Sequence, residues 1–431
     1  MLKKVKIERF KSVHDTELEF GRVNLLIGGN GSGKSNVLEA IGVLAAALSR
    51  GVSDVELSRK GVRLTPPALM KSAFKGVLPR TLRLAADFEN NISYALELTA
   101  SDVSTNLSFF SESAQMNGRR FFGRGKNGST VFGSRLKREP ERGRGLWDQI
   151  RISYDFDEMV VREFDKLNRF AIYAPQTEFL REIKSGSVSD PPIGLHGEGL
   201  AQAVSGLIAQ GSRAAAHSRQ SKSAIDIAAY EQLRDALLLA ALPGWTSIVK
   251  VGLVDPLLRS RDVSSAEGNI VYFIDKYMHK KRQTLSAYDS SEGTLFLLFV
   301  GVLLGHSQAP KIFALDNVDS ALNPSLTRKL IERIVAMVKR RIEYGIDEGP
   351  DQVFMTSHNP TALDAFDLTD PDQAVFIVSR DLKGHTMVER LKLRDGISKE
   401  DWLQHTKGRK LSQMWIDGDI VGALGQSGNA I

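Results

Sequence analysis

The sequence predicts an α/β fold with a mostly parallel core sheet, an antiparallel β lobe and an inserted helical region. Three observations carry that prediction. Apolar runs at Ile312–Leu315 and Gln352–Thr356 are each followed by a helical stretch, and Ala374–Val378 is a further apolar run; strands alternating with helices build a parallel sheet. Between Thr81 and Phe132 the pattern changes to short alternating runs divided by turn residues, an antiparallel meander. Ala201 to Ala241 is rich in Ala, Leu, Gln and Arg, and Leu242-Pro243-Gly244 ends it as a helix.

Taken in chain order, Val5 and Ile7 alternate with Lys4, Lys6 and Glu8. That is a strand, and it leaves no apolar core for a secretion signal. Val23-Asn24-Leu25-Leu26-Ile27 is a buried strand, and Val37, Leu38, Ile41, Leu44, Ala45 and Leu48 then recur at helical spacing. The meander contains Leu82–Phe88 and Ser93–Leu98, turned at Glu89-Asn90-Asn91. Phe170–Ala174 is a further strand. The helical region is too short, and its heptads too poor, for a long coiled-coil arm. The apolar run Leu295–Leu304 is a buried helix, since a bilayer span needs about 20 residues. Asn323-Pro324 supplies an N-cap and a first-turn proline before Leu326, Leu330, Ile334, Val335 and Val338. Asn359-Pro360 opens another helix, and Ala374–Val378 is the last strand expected. The expected division is 1–200, 201–262 for the helical insertion, and 263–431.

Chemistry enters at Gly28-Gly29-Asn30-Gly31-Ser32-Gly33-Lys34-Ser35, which fits G-x-x-x-x-G-K-[ST] between a strand and a helix. Glycines let consecutive N–H groups and the helix N-terminus face an anion. Gly28, Asn30, Gly31, Ser32, Gly33, Lys34, Ser35 and Asn36 are the expected ATP-binding residues. Lys34 is placed to reach the β- and γ-phosphates, and the Ser35 hydroxyl to ligate Mg²⁺. Such a loop needs a carboxylate at the end of a neighbouring strand. Asp316, directly after Ile312–Leu315, is that residue or else a helix-capping aspartate. Ser291-Glu292-Gly293-Thr294 precedes the apolar helix, and a Ser and a Gly at a helix N-terminus suit an anion. Asp319 follows Asp316 closely. His358 lies at the end of Val353–Thr356, where a side chain can reach a γ-phosphate or simply be solvated.

In that order the motifs resemble the ABC-type ATPase heads of the RecF/SMC branch. They look more like the compact bacterial AAA-type ATPases grouped with the overcoming-lysogenization-defect proteins. The resemblance covers nearly the whole chain: Phe10-Lys11-Ser12, Gly33-Lys34-Ser35-Asn36, Gly197-Glu198-Gly199-Leu200, Ser291-Glu292-Gly293-Thr294, Asp316 to Pro324, and Ser357-His358-Asn359-Pro360. It implies a P-loop NTPase head and a head-to-tail dimer with two ATP molecules between subunits. Ser291, Glu292 and Gly293 become the signature acting in trans, with Ser291 and Gly293 on the opposite subunit's γ-phosphate. Asp319 becomes part of the loop crossing the interface, and His358 the switch histidine. Gln176 stands as a Q-loop residue sensing Mg²⁺, in a poorly matching context. One departure is chemical. The family usually has glutamate after the Walker B aspartate, and this chain has Asn317, an amide that can hold a water but cannot take its proton. The resemblance therefore implies slow hydrolysis.

Composition sets bounds. Of 431 residues, 42% are hydrophobic and 25% charged, enough for an ordinary core. Cysteine is absent, which excludes disulfides, thiolate metal sites and a cysteine nucleophile. A cytoplasmic protein without a membrane segment is expected. The net charge of +6 permits nucleic-acid binding without requiring it. Much of that charge lies in 118–145, with Arg119, Arg120, Arg124, Lys126, Arg135, Lys137, Arg138, Arg142 and Arg144 and with Phe121 and Phe122 inside the run. A flexible basic loop with aromatics can track DNA, and it can equally be a solvated surface loop. The leading expectation is an ATP-dependent switch, acting through a separate nuclease or toxin in anti-phage defence. The roughly fifty residues after the last expected strand are too few for the nuclease domain of longer relatives. The alternative is a RecF-like DNA clamp. A transporter cassette is disfavoured by the wide separation of Ser35 from Asp316.

Overall fold

The computed structural model describes residues 1–74, 78–100, 106–184, 186, 188, 190–221, 223–253, 269–392 and 408–420. The chain forms two units. One comprises Met1–Ile172, Lys311–Asn317 and Gln352–Ile431, the other Tyr173–Pro310 and Val318–Asp351.

Two sheets organise the first unit. The core sheet has six strands, in the order Ile172–Tyr173, Ile312–Leu315, Gln352–Ser357, Val23–Ile27, Gln373–Arg380 and Thr386–Leu391. Val23–Ile27 lies parallel to both of its neighbours, and every one of its residues is buried, as expected where both faces of a parallel sheet are covered. The eight-stranded sheet is antiparallel throughout, running Val13–Glu19, Leu2–Phe10, Thr81–Phe88, Ile92–Thr99, Ser108–Met116, Arg119–Gly125, Gly128–Val131 and Ser134–Arg135. It buries one face. Ile92, Tyr94, Leu96 and Leu98 point into the core while their neighbours stay partly exposed. The helix Lys34–Ser49 touches strands of both sheets and is buried almost all round from Val37 to Leu48. Its one buried acid, Glu39, is held by Lys11 and Arg63.

The second unit is built on the helices Leu200–Ser221, Ala224–Leu238, Glu292–Gly305 and Pro324–Tyr344. Glu292–Gly305 is buried from Thr294 onward. A Cβ at Gly301 would lie 2.2 Å from the Ala236 carbonyl, so glycine sets how closely Ala224–Leu238 approaches. Pro324–Tyr344 begins with Asn323 accepting from the Leu326 amide at 2.9 Å, as the sequence predicts.

Several expectations are corrected. The helical insertion at 201–262 contains the strand Thr246–Leu253, paired with Asn269–Asp275. Once Pro243-Gly244 has stopped the helix, a β-branched stretch pairs more readily than it coils. The 254–262 part of that insertion lies outside the described residues. The strand expected at Phe170–Ala174 is only Ile172–Tyr173. The segment after Asn359 is a 3-10 turn, Pro360–Ala365. Gln373–Arg380 is followed by an antiparallel partner, Thr386–Leu391, so it is not the last strand. Among the described residues, no helix is long and apolar enough to cross a membrane.

Candidate nucleotide-binding site

Register sets the geometry. Ile27 is level with Ser357 on one side and Ile377 on the other, so Val23–Ile27 and Gln352–Ser357 end together where the loop Gly28–Gly33 leaves, while Gln373–Arg380 runs on past them. Open parallel sheets bind ligands at that edge. A Cβ at Gly28 would lie 2.0 Å from the Val378 carbonyl. Gly33 has φ +108, and a Cβ there would lie 2.1 Å from Thr386 Oγ1. A Cβ at Gly29 or Gly31, by contrast, would meet nothing within 4 Å. The helix Lys34–Ser49 starts at Gly33 without a side-chain cap, leaving its first amides to an anion. The Ser32 hydroxyl is buried and has no hydrogen-bond partner among the described residues. Lys34 is largely buried and donates to the carbonyls of Gly28 at 2.8 Å and Gly29 at 3.0 Å. A tight glycine cradle, an orphaned hydroxyl and an adjacent ammonium fit the phosphates of ATP.

Opposite Lys34, the Ser35 hydroxyl donates to the two Asp316 carboxylate oxygens at 3.1 and 3.3 Å. Thr356 also donates to Asp316, at 2.5 Å, and accepts the Asn317 amide at 2.8 Å. Thr356 thus fixes both the carboxylate and the turn after it. Ser35 and Asp316 are hard oxygen donors of the kind Mg²⁺ takes, and Mg²⁺ held there would offset charge on the β- and γ-phosphates. Asn317 is exposed with φ +58, a left-handed conformation that asparagine tolerates better than most residues. His358 is exposed just beyond Ser357. The first unit therefore brings Lys34, Ser35, Asp316, Asn317 and His358 to one edge of one sheet. Arg63 donates to Glu39 at 2.5 Å, and this bond, with the Asp316 charge adding, holds its guanidinium above the ordinary arginine value.

The second unit holds the other motifs. Ser291 caps the helix Glu292–Gly305, accepting from the Thr294 amide at 3.3 Å. A Cβ at Gly293 would meet the Ala321 carbonyl at 2.9 Å, so the helix start rests on the loop that Asp319 opens. That loop is closed by Leu322 donating to the Asp319 carbonyl at 3.4 Å. Ser291, Glu292 and Gly293 thus adjoin the Asp319 loop. Gln176 precedes the short helix Thr177–Leu180 and donates its own amide to the His196 carbonyl at 2.9 Å.

The basic segment is largely sheet rather than a flexible loop, in the strands Arg119–Gly125, Gly128–Val131 and Ser134–Arg135. Phe121 and Phe122 are core residues with relative exposures of 8% and 1%, so neither is available for stacking on a base. Arg124 is also removed from the nucleic-acid candidates. Its side chain is 3% exposed and sits 2.6 Å from the Glu112 carboxylate and 4.1 Å above the Phe109 ring. Arg144 pairs with Asp148. Arg119, Arg120, Arg135, Lys137, Arg138 and Arg142 are exposed and form no ion pair among the described residues. Sequence reasoning missed Thr356, Arg63, Arg380 and Thr386, which are isolated polar residues whose positions matter only once the strands are in register.

A family model described as "AAA domain, putative AbiEii toxin, Type IV TA system" matches residues 23–364. No curated protein matches the chain. Solved structures do. An SMC head bound to the C-winged helix domain of ScpA is 14% identical, over 92% of this chain and 99% of that one, with a TM-score of 0.48. The SMC head domain from Thermotoga maritima is 15% identical over 91% and 99%, with a TM-score of 0.40. The recombination mediator RecF with ATPrS is 15% identical over 91% and 98%, with a TM-score of 0.32.

Proposed function

We propose the following for this chain, which belongs to the AAA-domain family of putative AbiEii toxins. It is an ATPase whose slow hydrolysis makes the ATP-bound dimer its working state, and that dimer switches a separate effector protein, a nuclease or toxin, in anti-phage defence. The observation that carries this reading is the Ser35–Asp316 contact at 3.1 Å beside Lys34 and Asn317. On ATP binding, Lys34 exchanges the Gly28 and Gly29 carbonyls for phosphate oxygens. Ser35 and Asp316 would hold Mg²⁺, which would supply charge stabilisation to the phosphates, and Thr356 keeps the carboxylate aimed. Asn317 orients the attacking water but leaves its proton without a base, which costs a factor of about 10²–10⁴. His358 approaches the γ-phosphate. A second copy supplies Ser291, Gly293 and Asp319, so the active form is a homodimer or a higher assembly. Gln176 is assigned to sensing Mg²⁺ only by its place in the motif order.

Sedimentation of the full chain with and without ATP and Mg²⁺ tests the switch. Wild type is expected to dimerise only with ATP, and Lys34→Ala and Ser291→Arg are expected to stay monomeric. A dimer indifferent to ATP would refute the switch.

A second reading, a DNA-binding clamp, is supported by the exposed cations Arg119, Arg120, Arg135, Lys137, Arg138 and Arg142, none of which is in an ion pair among the described residues. It predicts salt-sensitive DNA binding that is lost when Arg135, Lys137, Arg138 and Arg142 become glutamine. Unchanged binding in that variant would remove the segment from the function.

A further inference from the structure

A phosphate loop works by turning its amides inward, so its carbonyls must turn outward and find other donors. Four loop carbonyls receive side-chain donors here. Those of Gly28 and Gly29 take Lys34, which must leave when phosphate arrives. The carbonyls of Gly31 and Ser32 take Arg380 and Thr386, each at 2.9 Å, from the hairpin of Gln373–Arg380 and Thr386–Leu391. Unlike Lys34, both of these donors come from outside the loop.

The direction of the chain behind Thr386 follows from proton counting. Thr386 has one hydroxyl proton and gives it to the Ser32 carbonyl. Its 2.7 Å contact with Ser12 must therefore be donated by Ser12. Ser12 in turn accepts from Asn36 Nδ2 at 2.6 Å, and Asn36 Oδ1 accepts from Arg63 Nη2 at 3.4 Å, which fixes the amide's orientation. Ser12 and Thr386 are 8% and 2% exposed. Asn36, Ser12 and Thr386 form a directed relay that ends on the loop, and such relays strengthen link by link in a low-dielectric interior. On the other side, Arg380 ties Gly31 to the hairpin turn by also donating to the Gly384 carbonyl at 2.5 Å.

We infer that Arg380 and Thr386, the latter through Ser12 and Asn36, are positioning residues that preform the phosphate loop from the hairpin. This gives the serine of Phe10-Lys11-Ser12 and the asparagine after Ser35 a shared task. The inference rests on the ATP-binding reading above. Each held carbonyl spares the ligand the cost of ordering the loop, so losing one weakens every polyphosphate ligand by a similar factor, about tenfold for one such hydrogen bond.

Titration calorimetry on the full chain with ATP, ADP and inorganic pyrophosphate tests it. Thr386→Val and Arg380→Met are expected to bind all three about tenfold more weakly, and Thr386→Ser, which keeps the hydroxyl, to bind within threefold of wild type. Arg380 is partly exposed, so Arg380→Met carries the test if Thr386→Val fails to fold. Wild-type affinity in a folded Thr386→Val or in Arg380→Met would overturn the inference. So would Thr386→Ser binding as weakly as Thr386→Val, which would make the methyl group's packing the cause. Loss confined to ATP in Arg380→Met would make Arg380 a γ-phosphate contact instead. Wild-type protein that bound none of the three ligands would refute the ATP-binding reading itself, a result distinct from all of these.

Discussion

The Ser35 hydroxyl lies 3.1 Å from the Asp316 carboxylate, across a sequence separation of 281 residues. Nothing local brings them together. Val23–Ile27 pairs with Gln352–Ser357, which pairs with Ile312–Leu315, and the shared register sets the two side chains at the same edge. Asp316→Asn removes the charge and keeps the shape. It is expected to lower Mg²⁺-dependent phosphate release at least about 10²-fold, since charge stabilisation is the larger part of phosphoryl-transfer catalysis. ATP affinity measured without Mg²⁺ should not fall. A phosphate-release assay at varied Mg²⁺ checks both.

Asn317 stands in the left-handed region at φ +58. Asn317→Glu is expected to raise phosphate release by about 10²-fold through a restored proton acceptor, while lowering stability by about 1 kcal/mol because glutamate resists that backbone conformation. Steady-state release and thermal unfolding of the same preparation check the two halves.

Arg124 faces Glu112 deep in the β lobe, and Glu112 also accepts from Tyr94 at 2.8 Å and the Leu146 amide at 2.9 Å. Burial pushes the Glu112 carboxyl up even though Arg124 opposes it. Arg124→Met leaves a buried acid without its cation and should cost about 3–5 kcal/mol. The double variant with Glu112→Gln should recover part of that loss in a denaturant titration.

Glu182 accepts the Ala201 amide at 3.1 Å, and burial raises its carboxyl to about 7. A raised acid binds its proton more tightly in the folded state, so its contribution to stability is complete below the unfolded value near 4.5 and is lost as pH rises to about 7. Glu182→Gln is expected to remove that decline and to be more stable than wild type at pH 8, by on the order of 2 kcal/mol. Unfolding curves at pH 5 and pH 8 give the sign.

Much of the site was legible because its residues are adjacent in sequence. The loop from Gly28 to Ser35, the aspartate ending an apolar strand and the Asn323-Pro324 cap each announce themselves within a few positions. Thr356, Arg380 and Thr386 do not, because each acts through the strand beside it, and single-sequence patterns carry no register. Arg124 misled for a related reason. Charge counting over 118–145 cannot separate a solvated cation from one whose partner, Glu112, sits on a neighbouring strand. Thr246–Leu253 was hidden by the helical composition before it, and its partner strand begins only at Asn269.

The proposed function requires that Asp316 and Asn317 make an ATP site that binds firmly and turns over slowly. Phosphate release from ATP with Mg²⁺, using Lys34→Ala as the blank and repeated with duplex DNA, tests it most directly. Release is expected above the blank, below about 0.1 per second, and unchanged by DNA. Release at ordinary enzyme rates of about 1 per second or more, or release that rises steeply with DNA, would contradict it.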